Sequence, residues 1–242
     1  MAHGAPDYSN VRKGSFVQRL DDLAELAVRL GSPIQGDRAG EVVFLDDFSV
    51  GIGKIGFATY GSDASYNLSG TISFYGDYSV RLIAGSDGTH HTDLFKAISN
   101  FNIGKMGVAV FFRLTGEADY LAIQLNHHDG VYYNRYEIRF YPTTQRLGYM
   151  NSSGVFTLID TLADIRVASP TFHYFKIVGD LAVNQFVRCI FDNTVFLLTD
   201  LECWSTTSAT YPYLYGMFKF YGRDGENDQL HIDSFVITQN EY

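Results

Sequence analysis

Only two cysteines occur in the chain, Cys189 and Cys203, so no disulfide framework can be read from it. Basic residues are outnumbered, 18 Lys and Arg against 27 Asp and Glu, and the formal net charge is −9. No basic run interrupts that balance, which argues against non-specific attraction to nucleic acid or to an anionic membrane. No apolar run reaches the roughly 18 residues that a membrane-spanning helix needs. The opening "MAHGAPDYSNVRKG" lacks the apolar stretch of a secretory signal. The expectation from these absences is a protein that folds in a reducing cytoplasm. Signature motifs are missing too: there is no G-x-S-x-G elbow, H-E-x-x-H pair, Walker loop or C-x-x-C. "GIGKIG" at 51–56 lacks the spacing of a phosphate loop and the helix that should follow one, so it reads as a turn between strands.

What is abundant points the other way. With 19 Phe, 17 Tyr and 23 Gly against 5 Pro and a single Trp, the composition favours strands and tight turns over helices. A length of 242 residues with 46% hydrophobic content can bury one large β core or two small ones.

One helix is legible. Ser15 and Gln18 form an S-x-x-Q capping box, and Phe16, Leu20, Leu23, Ala27 and Leu30 recur at helical spacing. Gly31 and Ser32-Pro33 stop it. The spacing predicts an amphipathic helix over 15–30 whose apolar stripe docks on the following domain or on another chain. From Glu41 the period becomes two. "EVVFLDDF", "GTISFYG", "YSVRLIAG", "MGVAVFFRLTG", "DYLAIQLN", "YYNRYEIRFY", "FHYFKIVGD", "FVRCIFDN", "YGMFKFYG" and "LHIDSFVIT" read as strands, separated by Gly-, Asp- and Asn-containing turns. About a dozen strands without helices between them predict an antiparallel sandwich or barrel. The division expected is an arm and helix over 1–40 and a β domain over 41–242. Cys189 alternates in phase with Phe191, as a buried free thiol would.

The stretch "QLNHHDGVYYNRYEIRFY", 124–141, carries the densest chemistry. Tyr133, Arg135, Glu137, Arg139 and Tyr141 share one strand face, and Tyr132, Asn134, Tyr136, Ile138 and Phe140 the other. Asp129-Gly130 marks a hairpin, and His127 and His128, adjacent in sequence, would point to opposite faces and make poor chelating partners. They read as part of a polar loop, as do His90, His91 and Asp93 in "GSDGTHHTD". A metal role for either pair is the alternative reading.

Several segments resemble concanavalin A-like, laminin-G-like jelly rolls. These are "VVFLDDFSVG" as the opening strand, "GDYSVRLIAGSD", the paired strands of "PTFHYFKIVGDLAVNQFVRCIFDNTVF" and the closing "LHIDSFVITQNEY". Phe172 stands where such domains usually carry Trp, and Asn193 where they carry the turn Gly. The resemblance covers 41–242. It implies two curved antiparallel sheets, the last strand beside the first, and ligands on the concave face or in the loops of one rim. In related domains acidic residues of the first and last strands hold a structural Ca²⁺, for which Asp47 and Asp233 are the candidates here. The order of arm, helix and sandwich also resembles virion-associated proteins of bacteriophages.

Enzymes of this fold leave signatures that can be sought. Its retaining glycosidases use an E-x-D-x-x-E strand, because nucleophile and acid must stand about 5 Å apart, and no such spacing occurs. The R-x-E-L-R, Q-I-H and Y-x-K motifs of its polysaccharide lyases are faintly echoed by "RYEIR", "QLNH" and "YFK", with the first two in reversed order. The outward faces offer Arg113, Tyr133, Arg135, Glu137, Arg139, Tyr141, Tyr215, Lys219, Tyr221 and Arg223, and tyrosine and arginine are residues of recognition surfaces. The expectation is a non-enzymatic structural or decorating protein of a virus particle, docking through its N-terminal arm onto virion proteins or copies of itself. A glycan-binding adhesion module is the alternative, and Tyr133, Arg135, Glu137, Arg139, Tyr215 and Tyr221 are its candidate ligand-binding residues.

Overall fold

A computed structural model describes residues 37, 39–74, 76–99, 101–162 and 171–242. The helix expected over 15–30, with its docking residues Phe16, Leu20, Leu23, Ala27 and Leu30, lies outside the described residues. Ala39–Tyr242 forms a compact unit.

Among the described residues the chain is all β, arranged in two antiparallel sheets of eight strands. The first sheet contains β1 (Glu41–Asp46), β3 (Ser65–Ser69), β4 (Ser79–Ile83), β6 (Lys105–Leu114), β11 (His173–Asp180), β12 (Gln185–Phe191), β13 (Thr194–Leu197) and β16 (Gln229–Gln239). Their order is β13-β12-β11-β6-β16-β4-β3, and β1 lies beside β16. The second sheet contains β2 (Gly56–Tyr60), β5 (His91–Ile98), β7 (Tyr120–His128), β8 (Tyr132–Tyr141), β9 (Arg146–Met150), β10 (Phe156–Thr161), β14 (Trp204–Thr207) and β15 (Tyr213–Tyr221). The order there is β10-β9-β8-β7-β15-β5-β2, with β14 beside β8.

Long strands serve two neighbours on one edge. Gln229–Ile232 of β16 pairs with β4, and its second half, from Phe235, pairs with β1. Likewise Tyr132–Arg135 of β8 pairs with β14, and Ile138–Tyr141 with β9. The closing strand thus lies against the opening one, as the jelly-roll resemblance implies.

The core follows from the alternation. Val108, Val110 and Phe112 of β6, Ile177 of β11 and Phe235 of β16 turn toward Leu121, Ile123 and Leu125 of β7, Tyr136 and Ile138 of β8 and Phe218 and Phe220 of β15, all of them closed to solvent. Each such side chain contributes about 1.5–3 kcal/mol by leaving water. Cys189 joins this core as expected. Two glycines let large neighbours approach: a Cβ on Gly179 would lie 2.7 Å from the Tyr136 ring, and one on Gly216 2.8 Å from Val108 Cγ2.

The structure corrects three expectations about local structure. "GTISFYG" does not form a strand; its described residues bend between β3 and β4, where the Asp233 carboxylate rather than a strand ladder accepts the Phe74 N–H at 2.7 Å. Three of the four paired histidines are not loop residues, while His90 stays in the loop before β5. His127 and His128 end β7, and His91 with Asp93 opens β5, so the turn after β7 is confined to Asp129–Val131. Several short strands, β2, β3, β9, β10, β13 and β14, went unread.

Candidate functional site

Alternation puts the even-numbered residues of β7 from Tyr120 to His128 on the outward face of the second sheet, and cross-strand register extends that face into rows. Four such rows matter. The first runs Tyr60, His91, Tyr221, Tyr120 and the second Asp93, Lys219, Ala122, Arg139. The third runs Tyr215, Asn126, Arg135, Trp204 and the fourth Tyr213, His128, Tyr133. Between the second and third stand Met217, Gln124 and Glu137. The candidate residues Tyr133, Arg135, Glu137, Arg139, Tyr215 and Tyr221 are therefore all on one face. Arg113 is not among them, being part of β6 in the other sheet, and Arg223 lies past β15, where it binds Asp228 and Glu117.

The outer rows are stacks of rings. Tyr60, His91, Tyr221 and Tyr120 follow one another at 4.2 Å between centroids and within 19° of parallel. Tyr213, His128 and Tyr133 stack at 4.4 and 4.5 Å. Strands about 4.8 Å apart impose this spacing, so the rings stand on the sheet and cover each other's faces. They present edges and hydroxyl groups to a ligand. Burial is the principal influence that lowers the pKa of both histidines and raises that of Tyr120, which keeps the rings neutral near pH 7.

Between the stacks lies a band of polar groups. Glu137 is 1% exposed; its Oε1 accepts from Arg139 Nε at 2.7 Å, while Oε2 lies 3.8 Å from Arg135 Nη1 and has no hydrogen-bond partner. Asp93, also 1% exposed, accepts from Lys219 Nζ at 3.0 Å, and burial is the main reason its pKa is raised. The Tyr133 hydroxyl donates to Asn126 Oδ1 at 2.7 Å, stands 2.9 Å from the Tyr215 hydroxyl and accepts from Arg135 Nε at 3.2 Å. Asn126 Nδ2 in turn donates to Gln124 Oε1 at 3.2 Å. The two guanidinium planes rest on aromatic rings: Arg135 on Tyr133 and Trp204, and Arg139 on Tyr120 and, at 3.7 Å, Phe156.

Within the rows the tyrosine faces are taken by neighbouring rings, so they do not offer a flat surface for a sugar ring.

The arrangement limits the chemistry. Asp93 on β5 and Glu137 on β8 are three strands apart, about 14 Å at the usual spacing. Glycoside hydrolysis by a carboxylate pair requires separations of roughly 5–9.5 Å. "RYEIR" and "QLNH" do meet, Gln124 standing opposite Glu137, whereas "YFK" belongs to the other sheet, where Lys176 binds Glu241 at 2.7 Å. His127 points the other way, into the core against Phe101. The calcium candidates have separate protein partners, Asp47 binding Ser49 and Asp233 the Phe74 N–H. Among the described residues no three His, Cys, Asp or Glu side chains converge as metal ligands would.

Gln124, Asn126, His128, Asp93 and Trp204 are among the members that sequence reading missed, with Tyr60, His91, Tyr120 and Tyr213 of the ring stacks. The alternation of "YLAIQLNHH" carried a signal for the first three, since Gln124, Asn126 and His128 fall opposite the apolar Leu121, Ile123 and Leu125.

No family model and no curated protein matches the chain. Solved structures with a similar fold do exist. The cellulose-induced protein Cip1 is 16% identical, with a TM-score of 0.53 over 81% of this chain and 96% of its own. A carbohydrate esterase of the Shiga toxin-encoding bacteriophage phi24B is 16% identical, with a TM-score of 0.51 over 82% of this chain and 98% of its own. A peanut lectin aligns with 14% identity and a TM-score of 0.49, over 82% and 97% of the two chains. The expectation of a non-enzymatic protein is corrected by these likenesses: the fold is shared with a protein described as an esterase, so the sandwich gives no ground for excluding catalysis. What these likenesses show is the fold, an antiparallel two-sheet β-sandwich.

Proposed function

We propose that the outward face of the second sheet binds a polysaccharide chain. The observation that carries this reading is the band of buried, hydrogen-bonded polar side chains enclosed between two ring stacks on an otherwise continuous sheet face. Burying Gln124, Asn126, Asp93 and Glu137 there costs stability that an apolar residue would not, and such groups are placed where a ligand needs them. Sugar hydroxyls are matched by phenol edges, amides and guanidinium groups, and Trp204 supplies apolar surface at one end of the band. The sugar-related names of the proteins sharing the fold agree with this reading.

The test separates hydroxyl recognition from ring packing. Tyr213→Phe combined with Tyr221→Phe keeps both stacks and removes two hydroxyl groups. Retention on a glycan array should fall about two- to tenfold per lost hydrogen bond, at about 0.5–1.5 kcal/mol each, with the melting temperature unchanged. Retention of no glycan by the unaltered protein, or full retention by the double variant, would overturn the reading. The amphipathic spacing of Phe16 to Leu30 supports attachment of this binding body to another chain, as in a virus particle. Light scattering of the full chain against one starting at Glu41 tests that attachment; an oligomer formed equally by both would end it.

A further inference from the structure

Arg81, His231 and Arg113 form a row on the outward face of the first sheet. His231 of β16 stands opposite Arg81 of β4 on one side and Arg113 of β6 on the other. Their strand neighbours Val80, Leu82, Leu230 and Ile232 turn into the core. Strands about 4.8 Å apart put the two arginine Cα atoms about 10 Å from each other, a gap that one small anion bridges. Both arginines are half-buried, and among the described residues neither has a carboxylate at ion-pair distance. Arg81 donates from Nε to Asn67 Oδ1 at 3.0 Å, and the buried Arg113 Nε has no partner. Asp233 is the one carboxylate carried by β3, β4, β6 and β16, and it accepts the Phe74 N–H at 2.7 Å.

Hydrogen bonding fixes the state of the imidazole between them. Ser79 Oγ spends its proton on the Ile72 carbonyl, so at 3.1 Å it accepts from His231 Nδ1–H. The other nitrogen, Nε2, is then an acceptor without a partner among the described residues, in a residue 2% exposed. Leaving it unmatched costs stability. The row thus offers two unpaired cations and, between them, one acceptor. Sulfate and ionised carboxylate bring negative oxygens alone, whereas a phosphate that keeps one proton brings negative oxygens and a hydroxyl donor. Beside the row, Phe111 lies two positions before Arg113 on the same face of β6. Phe74 stacks on it at 5.3 Å and is 45% exposed, and Phe172 lies 5.4 Å from Phe74.

We infer that this row binds a phosphate group, its charged oxygens held by Arg81 and Arg113 and its P–OH donating to His231 Nε2. Guanidinium forks suit such oxygens, because each can give two parallel N–H···O bonds. The site is on the sheet opposite the proposed glycan face and does not depend on it.

The full chain is titrated by calorimetry with inorganic phosphate, phenyl phosphate and sulfate at pH about 6, near the second ionisation of a phosphate ester, so that both phosphates keep a P–OH. Burial, with Arg81 and Arg113 adding to it, holds the His231 ring neutral there. Saturable phosphate binding supports the inference if sulfate binds at least tenfold more weakly and Arg113→Gln and Arg81→Gln each lose at least tenfold with the melting temperature unchanged. Tighter binding of phenyl phosphate than of inorganic phosphate assigns the group to an ester whose organic part rests on Phe74; equal or weaker binding assigns it to free phosphate. Amide shifts on adding phosphate alone should centre on Arg81, Arg113 and His231. Sulfate binding as tightly as phosphate, affinity unchanged in both arginine variants, shifts centred on the second sheet, or no phosphate binding at all overturns the inference. Each of those results leaves the glycan reading standing, because no glycan is present.

Discussion

Glu137, with arginines two positions to each side, reads in sequence as a rung of a cross-strand charge ladder. The structure pairs it along its own strand instead, with Arg139 at 2.7 Å and Arg135 at 3.8 Å on β8, while Gln124 stands across from it. His128 could not be placed that way. Its burial comes from Tyr213, which is 85 positions further along the chain, and from Tyr133 across the hairpin. A residue whose environment is built by distant strands carries no local signal of it. His231 makes the same point on the other sheet and yields a prediction. Burial, with Arg81 and Arg113 adding to it, pushes its pKa down to about 4, and Ser79 Oγ lies 3.1 Å from Nδ1. The folded state therefore keeps this ring neutral while the unfolded chain protonates it below about 6.5. The resulting stability is complete above pH 6.5 and is lost as pH falls toward 4, an effect of about 2–3 kcal/mol. Urea unfolding between pH 7 and 4 should show that loss, and His231→Asn should flatten it. An equal pH slope in the variant would show that another group titrates.

At the scale of elements, long strands were legible and short edge strands were not. β6, β8 and β16 have ten or eleven residues of clear alternation, enough for the pattern to stand out. β13 and β14 have four residues each and are mostly exposed, so neither length nor burial marks them. β5 was hidden by its polar start, because His91 and Asp93 look outward onto the site while Thr92 and Leu94 look in. β15 shows what a site strand needs on its other side. Gly216 sits between the residues that carry Tyr215 and Met217 outward, and a Cβ there would press on Val108 at 2.8 Å, Ile237 at 3.1 Å and Phe235 at 3.2 Å. Strand propensity alone predicts that Gly216→Val stabilises the protein. The packing predicts a loss of about 1–3 kcal/mol by overfilling the core. Thermal melting decides between them, and a raised melting temperature would mean that the sheets have room to move apart.

For the whole molecule, composition and the period-two runs were enough to give an all-β sandwich or barrel, and the jelly-roll resemblance chose the sandwich and gave the pairing of β16 with β1. The face proposed to bind was half visible. That Tyr133, Arg135, Glu137 and Arg139 of β8 share one side could be read from alternation, but the rows that join them to β7, β15 and β5 depend on register, which alternation alone does not set. The function class was the least legible part, since the alternation that builds the two sheets says nothing of what their outward faces bind or act on.

The most direct test of the account is amide shift mapping of the isotopically labelled chain as a retained glycan is added. The account predicts that the largest shifts fall on β7, β8, β14 and β15, centred on Asn126, Arg135, Trp204 and Tyr215. Shifts concentrated instead on β4, β6 and β16 of the first sheet would place the ligand on the opposite side of the sandwich and contradict it.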